Sequence, residues 1–233
     1  MKKLSVILLF VVLAGCAGTA SLQHLLEEQK GALAYVHDSE KVAEKKAVTL
    51  SISSFTVDDV LTLKTVVKRK STFVLPLLVF NTWKQEDQAQ LGYAQLENDY
   101  KQFLRESFID EVKRSSTYIY GEERGDLALD VKIKKIEMSA PISQHGNFIF
   151  ALYFFAFGTQ TTTGPVDVTV EADVQASKGS AVVFTKVLQG SFRTNILEGK
   201  NVNLKDYTIA MIEGVSMAIK NLNEKIVKEI DRI

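Results

Sequence analysis

Val166, Val168, Val170, Ala172 and Val174 alternate without a break with Asp167, Thr169, Glu171 and Asp173. Successive side chains of a strand point to opposite faces, so only a β-strand lets such a run bury one side of itself. A second run repeats the pattern, with Leu127, Leu129, Val131 and Ile133 facing one way and Asp130, Lys132 and Lys134 the other. Lys178-Gly179-Ser180 is a hairpin turn signal, and a partner strand is expected from Val182 to about Thr194. These strands need an apolar cover, and the end of the chain supplies one. From Asp206 to about Ile230, Ile209, Ile212, Val215, Ile219, Leu222, Ile226 and Ile230 form a stripe at helical spacing. Asp206 is expected as its N-cap, and Lys225 and Lys228 suit the negative end of the helix.

Upstream, Val48, Leu50 and Ile52 alternate with Thr49, Ser51 and Ser53, which predicts a first strand. Leu61, Leu63 and Thr65 suggest another, ending in the charged cluster Lys68-Arg69-Lys70. Phe73 to Phe80 is nearly continuous apolar sequence, suited to a strand covered on both faces. Pro76 inside it cannot donate a ladder hydrogen bond, so that strand is expected to bulge or to lie at an edge. Asn81-Thr82-Trp83 should end it, with a polar loop running on to Gly92. Tyr93 to Arg114 then reads as a helix, with Leu96, Tyr100, Phe103, Leu104, Phe108 and Val112 as its core stripe. A short strand at Thr117–Tyr120 follows. Strands, helix, strands, helix predict one α+β domain over 47–233, a largely antiparallel sheet with two amphipathic helices packed on one face.

The first 46 residues are of another kind. Lys2 and Lys3 give a positive start, Leu4 to Leu13 is apolar except for Ser5, and Leu13-Ala14-Gly15-Cys16 follows. An apolar core of about ten residues suits a signal peptide, whereas a spanning helix needs about twenty. Cys16 is the only cysteine, so no intramolecular disulfide can form. Leu-Ala-Gly-Cys resembles the lipobox of bacterial lipoproteins. That resemblance implies a signal peptide over 1–15, cut before Cys16, and acylation of the sulfur and the new amino terminus of Cys16. Several chains on one residue hold a protein lastingly to a membrane. Ala17, rather than an aspartate, comes next, which in enterobacterial members permits export to the outer membrane. The implied location is therefore the cell envelope, lipid-anchored, at the outer membrane and facing the periplasm.

Residues 16–46 read as a lipidated tether. Ala17–Ser21 is a small, polar spacer, and a helix is expected from Ser21 to Lys46 on the spacing of Leu22, Leu25, Leu26, Leu33 and Val36. Gly31 weakens its middle by ~1 kcal/mol relative to alanine. The segment suits a spacer between body and bilayer, a docking helix for a partner, or a disordered linker. As a coil of about 30 residues it would let the body sit ~30 Å from its anchor.

Between the two long strands lies an apolar stretch rich in aromatic residues. Five of the 13 phenylalanines, Phe148, Phe150, Phe154, Phe155 and Phe157, stand here with Tyr153. Gly146 and Gly158 bracket the stretch, and Thr159–Thr163 follows it. Three roles remain open for it. It could be buried against the sheet as a short helix or strand, it could meet a subunit or transport partner, or it could dip into a membrane interface or join an oligomeric pore.

The chain lacks G-x-S-x-G, H-E-x-x-H, G-x-G-x-x-G and phosphate-loop sequences. His24, His37 and His145 are scattered. Asp167, Glu171 and Asp173 share one strand face, where a solvated row is expected rather than a metal or catalytic site. Pairing with Lys132 and Lys134 across strands would add ~0.2–1 kcal/mol per pair. A non-enzymatic protein is therefore expected, with no metal and no cofactor beyond the lipid on Cys16. Loss of Lys2 and Lys3 from 28 basic and 28 acidic residues leaves a net charge of −2, without the basic footprint of a nucleic-acid binder.

In its order of elements, from Val48 to Ile233, the body resembles auxiliary outer-membrane lipoproteins of ABC-type transport systems. The elements are early strands, Trp83 before a helix, a strand pair turning at Lys178-Gly179 and a closing amphipathic helix. Its layout is also similar to lipoproteins that activate peptidoglycan synthases and to the periplasmic domain of curli-type secretion pores. The resemblance implies an accessory or assembly subunit of an envelope transport or secretion complex. Its alternatives are a regulator of a cell-wall synthesis enzyme or a pore-forming secretion oligomer. Cys16 is the one functional residue it carries over.

Overall fold

One strand of 25 residues, β5 (Leu127–Ala151), belongs to two halves of the same sheet. The computed structural model describes residues 22–38, 41–76, 80–123, 125–151, 154–194, 199–200 and 203–233. The first half of β5 lies between β1 (Thr49–Val57), parallel to it, and β7 (Val166–Lys178), antiparallel to it. β4 (Ile119–Tyr120) extends this half in parallel beyond β1, and β8 (Ala181–Thr194) extends it antiparallel beyond β7. The second half of β5 lies between β3 (Phe80–Gln90) and β6 (Phe154–Thr163), both antiparallel. β2 (Val66–Pro76) then pairs with β3, and β9 (Gly199–Lys200) with β6. The fold is thus α+β, with a mixed and largely antiparallel sheet. Gly179, at φ +60°, makes the turn expected between β7 and β8.

The alternation in β7 does what its spacing requires: Val166, Val168, Val170, Ala172, Val174 and Ala176 are buried. α3 (Leu204–Ile230) covers β7 and β8, burying Tyr207, Met211, Ile212, Val215, Ile219, Leu222, Ile226 and Ile230. Gly190 of β8 allows the helix to come this close, because a Cβ there would lie 2.3 Å from the Ala218 carbonyl oxygen and the Leu222 nitrogen. The cap is Asn203 rather than Asp206, with its Oδ1 accepting from the Lys205 N–H at 3.0 Å.

The earlier helix, α2 (Tyr100–Ser115), starts later than expected. A 3-10 turn at Tyr93–Gln95 comes first, and Asp99 Oδ1 caps the helix by accepting from the N–H groups of Lys101 and Gln102 at 2.8 and 3.1 Å. Of the two helices expected on the sheet, α3 lies on it and α2 packs against α3. Phe108 of α2 still reaches Phe55 of β1, at 5.7 Å between ring centres.

Among the described residues, the helix expected over Ser21–Lys46 is confined to 22–27 (α1), and 28–38 and 41–46 are not helical. Leu22, Leu26 and Leu33 are buried in the core. The Gly31 N–H donates to the Gln95 carbonyl and the Glu97 N–H to the Gly31 carbonyl, both at 3.0 Å. Asn98 bonds the N–H and the carbonyl of Leu33, each at 3.0 Å. The Ala34 N–H donates to Ser216 Oγ of α3, and the Tyr35 hydroxyl donates to Glu111 Oε2 of α2 at 2.9 Å. Asp38 pairs with the buried Lys220. Residues 22–38 therefore form a strap across α2 and α3, in which Leu22 and Leu26 are buried from the short helix and Leu33 from the non-helical segment that follows it. Residues 16–21 lie outside the described part of the chain.

The strap is fixed at the buried Glu111, which also meets His37 Nδ1 at 3.2 Å and Ser115 Oγ. Burial, and then the Glu111 charge, push the Tyr35 hydroxyl above its ordinary pKa, so it stays protonated and donating. Tyr35→Phe takes one donor from a buried carboxylate. The expected cost is about 1.5–3 kcal/mol, read as a lower urea midpoint. Val36→Ala, at an exposed side chain, should stay within about 0.5 kcal/mol of the parent.

Candidate contact site at two neighbouring hairpin tips

β2–β3 and β5–β6 are two antiparallel hairpins joined side by side through the β3–β5 pairing. Their register defines rungs across four strands. Phe73, Lys84, His145 and Gln160 share one rung, and Val74, Trp83, Gly146 and Thr159 the next. Leu75, Thr82, Asn147 and Gly158 follow, then Pro76, Asn81, Phe148 and Phe157. Farther out Phe80 pairs with Ile149 and Ile149 with Ala156, then Phe150 with Phe155 and Ala151 with Phe154. Residues 77–79, between β2 and β3, and 152–153, between β5 and β6, lie outside the described residues.

This arrangement corrects the reading of Phe73–Phe80. Phe73–Pro76 closes β2 and Phe80 opens its antiparallel partner β3, so the run is not one strand, and Asn81–Gln90 is strand rather than loop. Pro76 ends β2, which pairs only with β3 among the described strands, in keeping with the edge position expected of it. The aromatic stretch is the apex of the second hairpin, with Phe148 and Phe150 on β5 and Phe154, Phe155 and Phe157 on β6. Tyr153 and Cys16 fall outside the described residues.

A gradient of polarity runs along both hairpins. No Asp, Glu, Lys or Arg occurs from Ser71 to Trp83 or from Gly146 to Val166. The charges resume at Lys84, whose ammonium lies 2.5 Å from Glu86 and holds that carboxyl below its usual pKa. Deeper still, Arg69 Nε is 3.9 Å from the buried Asp87, which also accepts from Gln85 Nε2 at 2.5 Å. Within the charge-free zone Phe73 is 60% exposed. Trp83 is half-buried over Gly146, where a Cβ would come within 1.9 Å of the indole Nε1 and drive the ring off the sheet.

The roots of the hairpins are fixed beside the strap. Buried Thr65 donates its hydroxyl to Gln95 Oε1 at 2.6 Å and accepts from the Gly92 N–H at 3.2 Å. That places the β2–β3 root against the Gly31–Leu96 bridge. The Tyr207 hydroxyl, early in α3, donates to the Pro141 carbonyl at 3.0 Å, at the β5–β6 root. Burial raises the Tyr207 pKa and keeps that donor protonated. Ile212, one and a half turns on, lies against Gly31.

The other residues singled out from the sequence do not gather with the tips, His145 excepted. Asp173 pairs with Lys134 at 3.2 Å, Asp167 with Arg193 at 3.6 Å, and Glu171 accepts from Gln189 at 2.6 Å. Lys132 meets Asp58 instead, at 3.2 Å. His24 pairs with Glu28 on the surface and His37 sits in the strap. Among the described residues no cluster of three or more His, Cys, Asp or Glu side chains could hold a metal ion. No described helix is long and apolar enough to cross a membrane.

No family model matches the sequence, and no curated protein matches it. Among solved structures the chain is similar to protein XCC0632 from Xanthomonas campestris, described under the family model DUF330. The identity is 10% and the TM-score 0.43, over 88% of this chain and 97% of the other.

Proposed function

We propose that this chain is a non-enzymatic, lipid-anchored protein of the bacterial cell envelope, at the outer membrane facing the periplasm. In this reading it serves as an accessory or assembly subunit of a transport or secretion complex. The lipobox at Cys16 supports the location. The observation that carries the subunit role is the edge strand β8, which pairs only with β7 among the described strands. There Val182, Val183 and Val187 are 56, 45 and 55% exposed. Such an edge, with unpaired backbone groups and exposed valines, is a template for another chain unless something covers it. A photocrosslinking residue at Val183 or Val187, used in intact cells, tests this. Adducts with components of an envelope transport or secretion machine are expected; recovery of the uncrosslinked chain alone would contradict the reading.

A pore-forming oligomer is the second reading, favoured by the directions of β2, an edge among the described strands, and of β6, which β9 covers only at Thr162 and Thr163. β2 and β6 run antiparallel to one another at opposite sides of the hairpin half. β6 of one copy could thus pair with β2 of the next and continue the antiparallel order around a ring. This reading predicts ring-shaped particles by electron microscopy that disappear when residues 147–157 are deleted.

A further inference from the structure

We propose that the open end of the β8 edge, Ala181–Val187, takes up an extended, acid-bearing segment of a partner protein as an added strand. The segment carries carboxylates on its α3 side and apolar side chains on the other. The inference rests on the subunit reading above and names the chemistry of the partner at that same edge.

α3 already closes the far half of this edge. Asn221 Nδ2 donates to the Ser191 carbonyl at 2.8 Å, and Lys225 Nζ donates to the Gln189 carbonyl at 3.2 Å. The N–H and C=O of one strand residue point the same way, and those of the next residue point the opposite way. Gln189 and Ser191 therefore turn theirs away from β7, and Thr185 and Val187 continue the same row. Among the described residues no side chain caps the backbone of Thr185 or Val187. The row ends at a bulge, where Val183 has no register partner on β7.

The open stretch reads Ala-Val-Val-Phe-Thr-Lys-Val, β-branched and aromatic around a single charge, which suits a strand paired on both sides. A lysine is a common guard of such edges, but Lys186 is turned onto α3, where its ammonium lies 2.6 Å from Glu229.

The two sides of the edge differ in charge. Toward α3, Arg232 reaches the same Glu229 carboxylate at 2.5 Å. Lys186 foremost, then Arg232 and Lys225, hold the Glu229 carboxyl below its usual pKa. Three cations thus share one carboxylate on this side. On the other side Val187 is exposed, Asp173 is matched by Lys134, and Glu171 accepts from Gln189. An added strand presents alternate side chains to the two sides. Asp or Glu on the α3 side answers the surplus of positive charge, and apolar residues on the other side meet Val187. Main-chain bonds to Thr185 and Val187 supply the affinity, and the alternation selects the partner. A second copy of β8 would instead set these cations against their own kind.

The experiment places the photocrosslinking residue at Val183 of the full-length protein in intact cells and sequences the crosslinked partner peptide by mass spectrometry. The expected peptide alternates Asp or Glu with apolar residues. Val187→Pro should abolish the adducts, because proline removes an outward N–H that the added strand needs. An edge strand tolerates proline where its nitrogen faces solvent, so the unfolding midpoint should fall far less than in Lys186→Pro. Thr185→Pro repeats the test at the neighbouring outward N–H. Lys225→Gln with Arg232→Gln should lower the adduct yield about two- to fivefold. Adducts with an envelope machine that survive both outward proline variants overturn the added strand and leave the subunit role standing. Adducts with a second copy of the chain, or with a peptide that lacks the alternation, overturn the proposed partner. Absence of any adduct overturns the added strand and the subunit role together.

Discussion

Gly190→Val is expected to prevent stable folding, or to lower the thermal midpoint by roughly 10 °C or more. A Cβ at this position would come within 2.3 Å of the Ala218 oxygen and the Leu222 nitrogen and 2.6 Å of the Leu222 Cβ. Two of these atoms are helix backbone and cannot rotate away, so α3 must lift off β8. Lifting it would open the contacts of Ile219, Leu222 and Ile226, all fully buried. Overpacking in a core costs ~1–3 kcal/mol where side chains can shift, and more where only backbone can. Total stability is ~5–15 kcal/mol, and each kcal/mol moves the midpoint of a domain this size by ~2–4 °C. Gly190→Ala should show the same effect at smaller amplitude. Gly121→Ala is the control, since a Cβ there meets nothing within 4 Å; its midpoint should not move. Circular dichroism melts of the three variants measure the difference.

The second large effect concerns the proposed anchor. Replacing residues 1–15 with a signal cut by the ordinary signal peptidase, together with Cys16→Ser, should transfer the protein from the washed membrane fraction to the soluble envelope fraction. One acyl chain binds a bilayer marginally, whereas two or more bind lastingly, at ~0.8 kcal/mol per buried CH₂. Wild-type protein should take up labelled palmitate and the variant should not. Equal retention of both in washed membranes would mean that the acyl chains are not the main hold.

The layers of the body were legible because their covers obey simple periods. β7 and the closing helix follow periods of two and of 3.6, and both bury the expected residues except Ile209, which is 39% exposed in the second turn of the helix. The hairpin half was not legible because β3 is polar at nearly every position, so Asn81–Gln90 read as loop. Its strand character comes from pairing with β2 and β5, which a single sequence does not display. A usable signal was present all the same. Each hairpin reads polar, apolar, polar about its turn, as a strand and its returning partner do when only their far end is apolar. The strap misled in the opposite direction: Leu22, Leu26 and Leu33 have helical spacing, but hydrogen bonds to Gln95, Asn98 and Ser216 hold Gly31–Ala34 extended. The apolar apex at 148–157 was legible as a candidate site. Its neighbour at Phe73–Phe80 became one only through the register.

Anchoring through Cys16 is the claim on which the proposed location and envelope role depend. Mass spectrometry of the amino-terminal peptide, from protein extracted out of its native membranes, tests it most directly. The predicted result is a peptide that begins at Cys16 and carries acyl chains on its sulfur and its amino group. A peptide with a free Cys16 thiol, or one that still carries residues 1–15, would contradict the account.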